Sequence, residues 1–403
     1  MNILMFGWEF PPFKTGGLGT ACHGLTKGLS RNGAKVTFVM PIAPEGAQSN
    51  FVKILGADKF AKKIKIHKIN SLLTPYMTSE SYETKYNSLN ASGKQEVYGK
   101  NLYEEVQRFS ATSGMIAKQE KHDLIHVHDW MTYQAGINAK KISGKPLIVH
   151  IHATEFDRTG GNPNNTISNI EYNGLKEADL VIANSNFTKQ NVIQHYKIKP
   201  DKIKVVHWGI DETNYGEKYK SPMTQKDKIV LFLGRVTIQK GPDYFIEVAK
   251  KVSDNYPNVK FIVAGEGDML PRMIARSAEL GISHKIVFTG FLQGQDVYKA
   301  FQTADLYVMP SVSEPFGLVA LEALKNNTPI LISKQSGVSE VINNALKTDF
   351  WDINEMTNKI VNVLKYDELR EELRENGSKE VQKFNLDTPA KKCMAIYCEA
   401  MHQ

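Results

Sequence analysis

Short apolar runs separated by stretches of helical periodicity recur in two successive series, and this alternation constrains the fold more than any other feature of the chain. The first series covers residues 3–7, 35–40, 124–128, 147–152, 180–183 and 204–207, and the second covers 230–233, 260–264, 286–289, 306–309 and 330–332. Runs this short have the length of buried strands rather than core helices. Strands alternating with helices build βαβ units around a parallel sheet. Between the series, the stretch from Asp211 to Lys228 is polar and carries Lys and Pro, which predicts an interdomain linker. A chain of 403 residues with 41% hydrophobic content exceeds one ordinary core, so two domains of about 200 residues are expected.

Open α/β sheets bind ligands beyond the carboxyl ends of their strands, so the residues that follow each run are the candidates for chemistry. Ile229-Val-Leu-Phe-Leu-Gly-Arg235 is followed by Val-Thr-Ile-Gln-Lys240-Gly241 and then by a helical pattern through Tyr244, Phe245, Val248 and Ala249. Two cations beside a helix N-terminus suit a diphosphate, although basic residues on an exposed loop are also common. The run ending at Pro310 leads into Glu314-Pro-Phe-Gly317-Leu318-Val-Ala-Leu-Glu322, where Pro315 suits a first helical turn. At ~1.5 Å per residue a fully helical path would set the two carboxylates roughly 12 Å apart, the span from a donor hexose to the ribose of its nucleotide. Each carboxylate can accept bonds from vicinal hydroxyls. The competing reading is a helix cap at Glu314 and a solvated charge at Glu322. No Asp-x-Asp pair occurs, so a metal-bridged diphosphate has no evident ligands and the cations take that role.

At the N-terminus the run 3–7 leads to Phe10-Pro-Pro-Phe-Lys14-Thr-Gly16-Gly17-Leu-Gly19, then to a helix through Leu25 and Leu29 that stops at Gly33. Glycines at a strand-to-helix turn let backbone N–H groups approach a phosphate closely; a tight turn without a ligand is the alternative. His126-x-His128 and His150-x-His152 both end strands, and residues at i and i+2 share one face. Such pairs can ligate a metal in a hydrolase, yet no downstream Asp, Lys and His set completes a metal sphere, and buried hydrogen-bonded histidines explain them equally. Asp129, directly after its strand, reads either as a helix cap or as a site residue.

Lys14-Thr-Gly-Gly-Leu, His128-Asp129-Trp130, Val149-His-Ile-His152, Leu233-Gly-Arg235 with Lys240-Gly241, and Glu314-Pro-Phe-Gly-Leu occur in that order along nearly the whole chain. In these motifs it resembles the family-4 retaining glycosyltransferases of the GT-B fold, and among them the glycogen and starch synthase-like members. Glu322 departs from the bacterial glycogen synthases of the related family 5, which carry tyrosine there. The resemblance implies an α/β protein of two Rossmann-like domains facing an interdomain cleft. Residues 1–211 would form the acceptor-side domain, 212–388 the nucleotide-sugar domain, and 389–403 a last helix crossing back to the first. It implies catalytic roles for His152, Arg235, Lys240 and Glu314, and substrate contacts from Lys14, Gly16, Gly17, Asp129, Gly317, Leu318 and Glu322. The implied reaction moves a hexose, glucose foremost, from a nucleoside-diphosphate sugar to an α-glucan. The departing phosphate itself takes the acceptor proton, with neither metal nor cofactor. A two-step route would instead need a carboxylate nucleophile, for which Glu314 is the candidate. A surface polysaccharide or lipid-linked acceptor is the alternative; an epimerase or a non-catalytic module on the same fold is a further one. Gly265-Glu-Gly-Asp268 would border the nucleotide, and Phe291-Leu292 would pack either on its base or in the core.

Composition bounds the remaining classes. The net charge of +7 is mild for this length; it suits attraction of anionic sugar nucleotides or contact with an acidic membrane surface and falls short of a nucleic-acid signature. No apolar run approaches the ~20 residues of a membrane span. The chain enters a strand without the basic and apolar regions of a signal peptide, and Cys22, Cys393 and Cys398 form no paired framework, which together suggest the cytoplasm. Membrane contact would call for an amphipathic basic helix, whereas Lys62-Lys-Ile-Lys-Ile-His-Lys68 alternates like a strand. Residues 45–98, polar and rich in Tyr, Ser and Asn, predict an inserted hairpin and loop near the acceptor side.

Overall fold

The structure, a computed structural model, describes residues 1–8, 10, 17–41, 52–56, 102–211 and 227–402. Lys14, Gly16, the basic stretch 62–68 and most of 45–98 lie outside the described residues. The chain divides into two compact units: Met1–Thr154, Asn164–Gly209 and Leu386–Gln403 form the first, Glu155–Pro163 and Ile210–Asn385 the second.

The first unit is built on seven parallel strands, β1 (Asn2–Phe6), β2 (Lys35–Met40), β3 (Lys53–Gly56), β4 (Leu124–His128), β5 (Leu147–Ile151), β6 (Leu180–Ala183) and β7 (Ile203–Val205). Their order is β3-β2-β1-β4-β5-β6-β7. The second unit has six: β8 (Lys228–Leu233), β9 (Val259–Ala264), β10 (Ile286–Gly290), β11 (Leu306–Met309), β12 (Ile330–Ser333) and β13 (Leu346–Thr348), ordered β10-β9-β8-β11-β12-β13. Both sheets run outward from the first strand in one direction and then reverse, the doubly wound Rossmann arrangement. The reversal falls between β1 and β4 in one sheet and between β8 and β11 in the other.

The central strands are buried along their length: β4 and β5 are closed to solvent at every residue, which explains their continuous apolar runs. Between β8, β9 and the helix Pro242–Asn255, the residues Phe232, Phe245, Val252, Phe261 and Val263 form the heart of the second core. The strands not expected from sequence are β3 and β13, each at a sheet edge with a single neighbour. An edge strand such as Leu346-Lys-Thr348 is only part-buried and carries no apolar run to betray it.

Two segments lie apart in sequence from the rest of the unit they belong to. Glu155–Pro163 belongs to the second unit: the Ser313 hydroxyl donates to Asp157 over 2.5 Å, and Ile238 lies against Gly160. The C-terminal helix Asp387–Met401 belongs to the first, packed on the helix Gly17–Arg31, where two glycines let it approach. A Cβ on Gly28 would lie 2.4 Å from the Leu386 carbonyl oxygen and 2.9 Å from the Ala390 Cβ, contacts that backbone cannot relax cheaply.

Gly28→Ala is therefore expected to destabilise the protein by about 1–3 kcal/mol despite alanine's higher helix propensity. Gly17→Ala on the same helix, where an added Cβ meets nothing within 4 Å, is the control and should leave the thermal midpoint unchanged or raise it. Thermal unfolding of both variants checks the contrast; equal midpoints would contradict it.

Candidate functional site

In the second unit the turns leaving β8 and β11, neighbours at the reversal, carry the expected cations and acids. After β8 the chain forms a short 3-10 turn, Ile238–Lys240, and Gly241 in the left-handed region at φ 63° starts the next helix. That helix begins with proline at its first position, and its free N–H groups lie beside Lys240. Lys240 Nζ donates to Glu314 Oε2 over 2.5 Å in an ion pair whose side chains are 19% and 9% exposed. The Ser311 hydroxyl donates to the same oxygen over 3.2 Å. Arg235 Nη2 donates to the Gln239 side-chain oxygen over 2.8 Å. Gln239 is buried, and its backbone carbonyl accepts from the N–H groups of Val312 and Ser313 at 3.0 and 3.4 Å. One residue thus holds both the arginine and the turn that presents Glu314.

Glu314 is not a helix cap. Its backbone forms a parallel bridge to Ser336, its N–H donating to the Gln335 carbonyl and its carbonyl accepting from Gly337, both over 2.9 Å. The helix begins only at Leu318, so Pro315 precedes it instead of opening it. Gly317 turns the chain into that helix at φ 108°, where a Cβ would come within 3.0 Å of Val338 and 3.3 Å of the Glu314 side chain. Half-buried Glu322 projects one turn further on. Tyr307 on β11 lies near both acids: burial foremost, then Glu314, then Glu322, push its phenol well above the usual range, so it stays neutral. Its hydroxyl donates to the Leu233 carbonyl over 3.2 Å and ties β11 to the end of β8. Phe291 is exposed and outside the core.

In the first unit four histidines line the ends of β4 and β5. His126, His128 and His150 are fully buried and His152 is 8% exposed. The His150 ring stacks on Trp208, with centroids 5.0 Å apart and planes 2° apart, and on His126 and His152. His128 Nδ1 and His152 Nε2 share a hydrogen bond of 2.9 Å, and the Tyr397 hydroxyl meets His126 Nδ1 at 2.7 Å. Burial depresses all four rings below the ordinary histidine value, His152 to about 3, and coulombic repulsion among them adds to the effect on the other three. The stack is therefore uncharged at neutral pH. Ligating atoms of His126, His128 and His150, and likewise of Cys22, His128 and His152, come within 4.8 Å of one another. In the first set His126 and His150 lie with planes 4° apart while His128 is tilted by 32° and 29° to them; in the second His128 is tilted by 42° to His152, and a hydrogen bond already joins the two facing nitrogens.

Asp129 is buried, and its carboxylate accepts the backbone N–H of His152 over 2.9 Å instead of capping the helix Trp130–Ser143. Gly17, the first residue of its helix, is exposed. The structure brings Arg235, Lys240 and Glu314 to neighbouring turns of the second unit and sets His152 beside His128 in the first; Gln239, Ser311 and the partnership of His128 with His152, which sequence reasoning did not name, are revealed only by three-dimensional proximity.

Residues 216–380 match the family Glycosyl transferases group 1, and residues 15–214 match Glycosyltransferase Family 4. An uncharacterised glycosyltransferase of Methanocaldococcus jannaschii is 32% identical over 421 residues, covering 100% of this chain and 99% of the relative. A glycogen synthase of Mycobacterium tuberculosis is 25% identical over 355 residues, covering 85% of this chain and 80% of the relative. Among solved structures, sucrose-phosphate synthase from Thermosynechococcus elongatus aligns with a TM-score of 0.75 at 19% identity, over 99% of this chain and 98% of that one. HepE of Anabaena, solved in complex with UDP-glucose, aligns with a TM-score of 0.69 at 19% identity, over 99% of this chain and 100% of that one. No described helix is long and apolar enough to cross a membrane.

Two outcomes follow from this geometry. Histidines whose folded value lies below the unfolded one bind fewer protons when folded, so stability is complete above the ordinary value of 6.5 and falls as pH drops towards the depressed values. The loss per ring should steepen below pH 6.5 towards a limit of about 1.4 kcal/mol per pH unit, an acid lability that denaturant titrations between neutral pH and about pH 5 would register. Secondly, Lys240→Ala and Glu314→Gln should each destabilise the second unit by about 1–3 kcal/mol, with the double variant losing clearly less than the sum. Additive losses in a double-mutant cycle would show that the pair is not coupled.

Proposed function

We propose a specific reaction for this chain, which belongs to the family-4 glycosyltransferases of the GT-B fold: transfer of a hexose, glucose foremost, from a nucleoside-diphosphate sugar to an α-glucan, with retention of configuration. The observation that carries this reading is the joining of Arg235, Lys240 and Glu314 at the carboxyl ends of β8 and β11, where the strand order reverses. The similarity to a glycogen synthase supports the acceptor class, and the likeness in fold to HepE in complex with UDP-glucose supports a nucleotide-sugar donor.

In this reading Arg235, Lys240 and the N–H groups opening the helix Pro242–Asn255 stabilise charge developing on the departing diphosphate. Glu314 grips hydroxyls of the hexose and Glu322 those of the ribose. Gly317 and Leu318 bring backbone close to the donor; Gly17 is expected to contact it too, while Lys14 and Gly16 of the same motif lie outside the described residues. His152 contacts the sugar as a neutral group, and its depressed proton affinity makes it a poor general base. The proton of the acceptor hydroxyl passes to the leaving phosphate on the same face, so the reaction needs no metal and no enzymic base. Asp129 serves the acceptor side by fixing the backbone of His152.

Incubating the purified chain with UDP-glucose or ADP-glucose, with and without glycogen and with excess chelator, tests the reaction. Glycogen-dependent release of nucleoside diphosphate and growth of α-linked glucan are expected. Incorporation confined to a lipid-linked or surface-polysaccharide acceptor would favour that class instead, and activity abolished by chelator and restored by metal would refute metal independence. Lys240→Ala should lower turnover by about 100-fold, the loss of one electrostatic contact to the transition state, with circular dichroism unchanged.

A further inference from the structure

The His128–His152 hydrogen bond leaves a choice of tautomer that buried polar atoms decide. A neutral imidazole carries one N–H and one bare nitrogen. Both rings are neutral near pH 7. His128 Nε2 is buried with no hydrogen-bond partner. If the His128 proton sat on Nε2, a second N–H donor would be orphaned in the stack, beside the one that neutral His150, with neither nitrogen partnered, already carries. If it sits on Nδ1 it is used, because that atom lies 2.9 Å from His152 Nε2. His152 Nε2 must then be the acceptor, and the proton of His152 is on Nδ1. Nδ1 is also the ring nitrogen of His152 not committed to His128, and His152 is the ring of the four with residual exposure.

We infer that His128 is a positioning residue that locks His152 in the Nδ1–H tautomer, so that His152 meets its substrate as a hydrogen-bond donor and not as an acceptor or base. A donor suits an electron-rich hydroxyl or ring oxygen of a sugar. The frame around the pair is rigid: Asp129 accepts the His152 backbone N–H, Asn184 donates to the His152 carbonyl over 2.9 Å, and Trp208 stacks on the His152 ring with centroids 5.4 Å apart. The role assigned to the donor rests on the hexosyl-transfer reading, whereas the tautomer does not.

Long-range proton–nitrogen NMR on the chain labelled with 15N-histidine, without substrate at neutral pH, reads the tautomer directly, with His152→Gln used for assignment. Protonation of His152 at Nδ1 and of His128 at Nδ1 is expected; protonation of His152 at Nε2 overturns the inference whatever the enzyme transfers. His128→Leu should release the lock, giving a mixed His152 tautomer and a fall in kcat of about 100-fold, as for loss of a single transition-state donor, with KM little changed. His128→Asn, whose amide can donate from near the ring Nδ1 position, should restore both the tautomer and most of the rate. A fall in kcat with the tautomer unchanged in His128→Leu would also overturn the positioning role. Should the wild-type chain transfer no hexose yet show the expected tautomer, the reaction reading fails and the lock stands.

Discussion

The turns that leave β8 and β11 meet with no room for a side chain between them, and the second unit's chemistry depends on that contact. A Cβ on Gly241 would lie 2.2 Å from the Pro310 carbonyl oxygen, and Gly241 also occupies the left-handed region that side chains disfavour. Val312 and Ser313 donate across the same gap to Gln239. Adjacent strands at a reversal of order send their following helices to opposite faces of the sheet, which opens a crevice at their carboxyl ends. Here that crevice is bordered by an arginine, a lysine and a carboxylate that sit far apart in sequence. Loosening the contact would separate Lys240 from Glu314, so packing and electrostatics share one origin.

The first unit solves a different problem, that of keeping a histidine uncharged and fixed. Asp129 adopts φ 61° and ψ 166°, a region costly for any residue with a Cβ, at a price of about 1–3 kcal/mol. Two hydrogen bonds to β5 hold it there: its N–H donates to the His150 carbonyl over 3.1 Å and its carboxylate accepts from His152 N–H. The strain therefore sits at the residue that aligns the ends of β4 and β5. Stacking against Trp208 and three other imidazoles excludes water from the rings, and that exclusion is what depresses their proton affinity.

Central strands were legible in sequence because burial on both faces demands unbroken apolar runs: the run at Leu306–Met309 coincides with its strand, and that at residues 124–128 with β4. β13 was not, because the short, part-buried Leu346-Lys-Thr348 carries no apolar run, and β3 lies within the polar stretch 45–98 that reads as an insertion. Arg235, Lys240 and Glu314 were legible because strand ends are where such folds place charge. The ion pair joining two of them was not, because 74 residues separate them and sequence spacing does not encode which loops touch. The helix start after Glu314 was misread for a local reason: Pro315 has the look of a first helical turn, yet the bridge to Ser336 holds the chain extended until Gly317 can turn it. Gln239 passed as an unremarkable polar residue between two cations, and nothing in its type signals burial.

The Lys240–Glu314 pair also bears on how donor binding would proceed. As the chain stands, each charge neutralises the other, and the Ser311 hydroxyl supplements the carboxylate. Arg235 donates to the neutral amide of Gln239, which orients the guanidinium. In the proposed reading a diphosphate arriving at this place would meet Arg235 oriented by Gln239 and would compete with Glu314 for Lys240. To the extent that phosphate draws Lys240 away, Glu314 gains lone pairs for sugar hydroxyls, so grip on one end of the donor strengthens grip on the other. In that reading a nucleoside diphosphate without its sugar would take the lysine and leave the carboxylate, 9% exposed, without its cation, and desolvation would penalise that state. In the proposed reading the intact donor would meet both charges at once, so that Lys240 and Glu314 together would favour substrate over product.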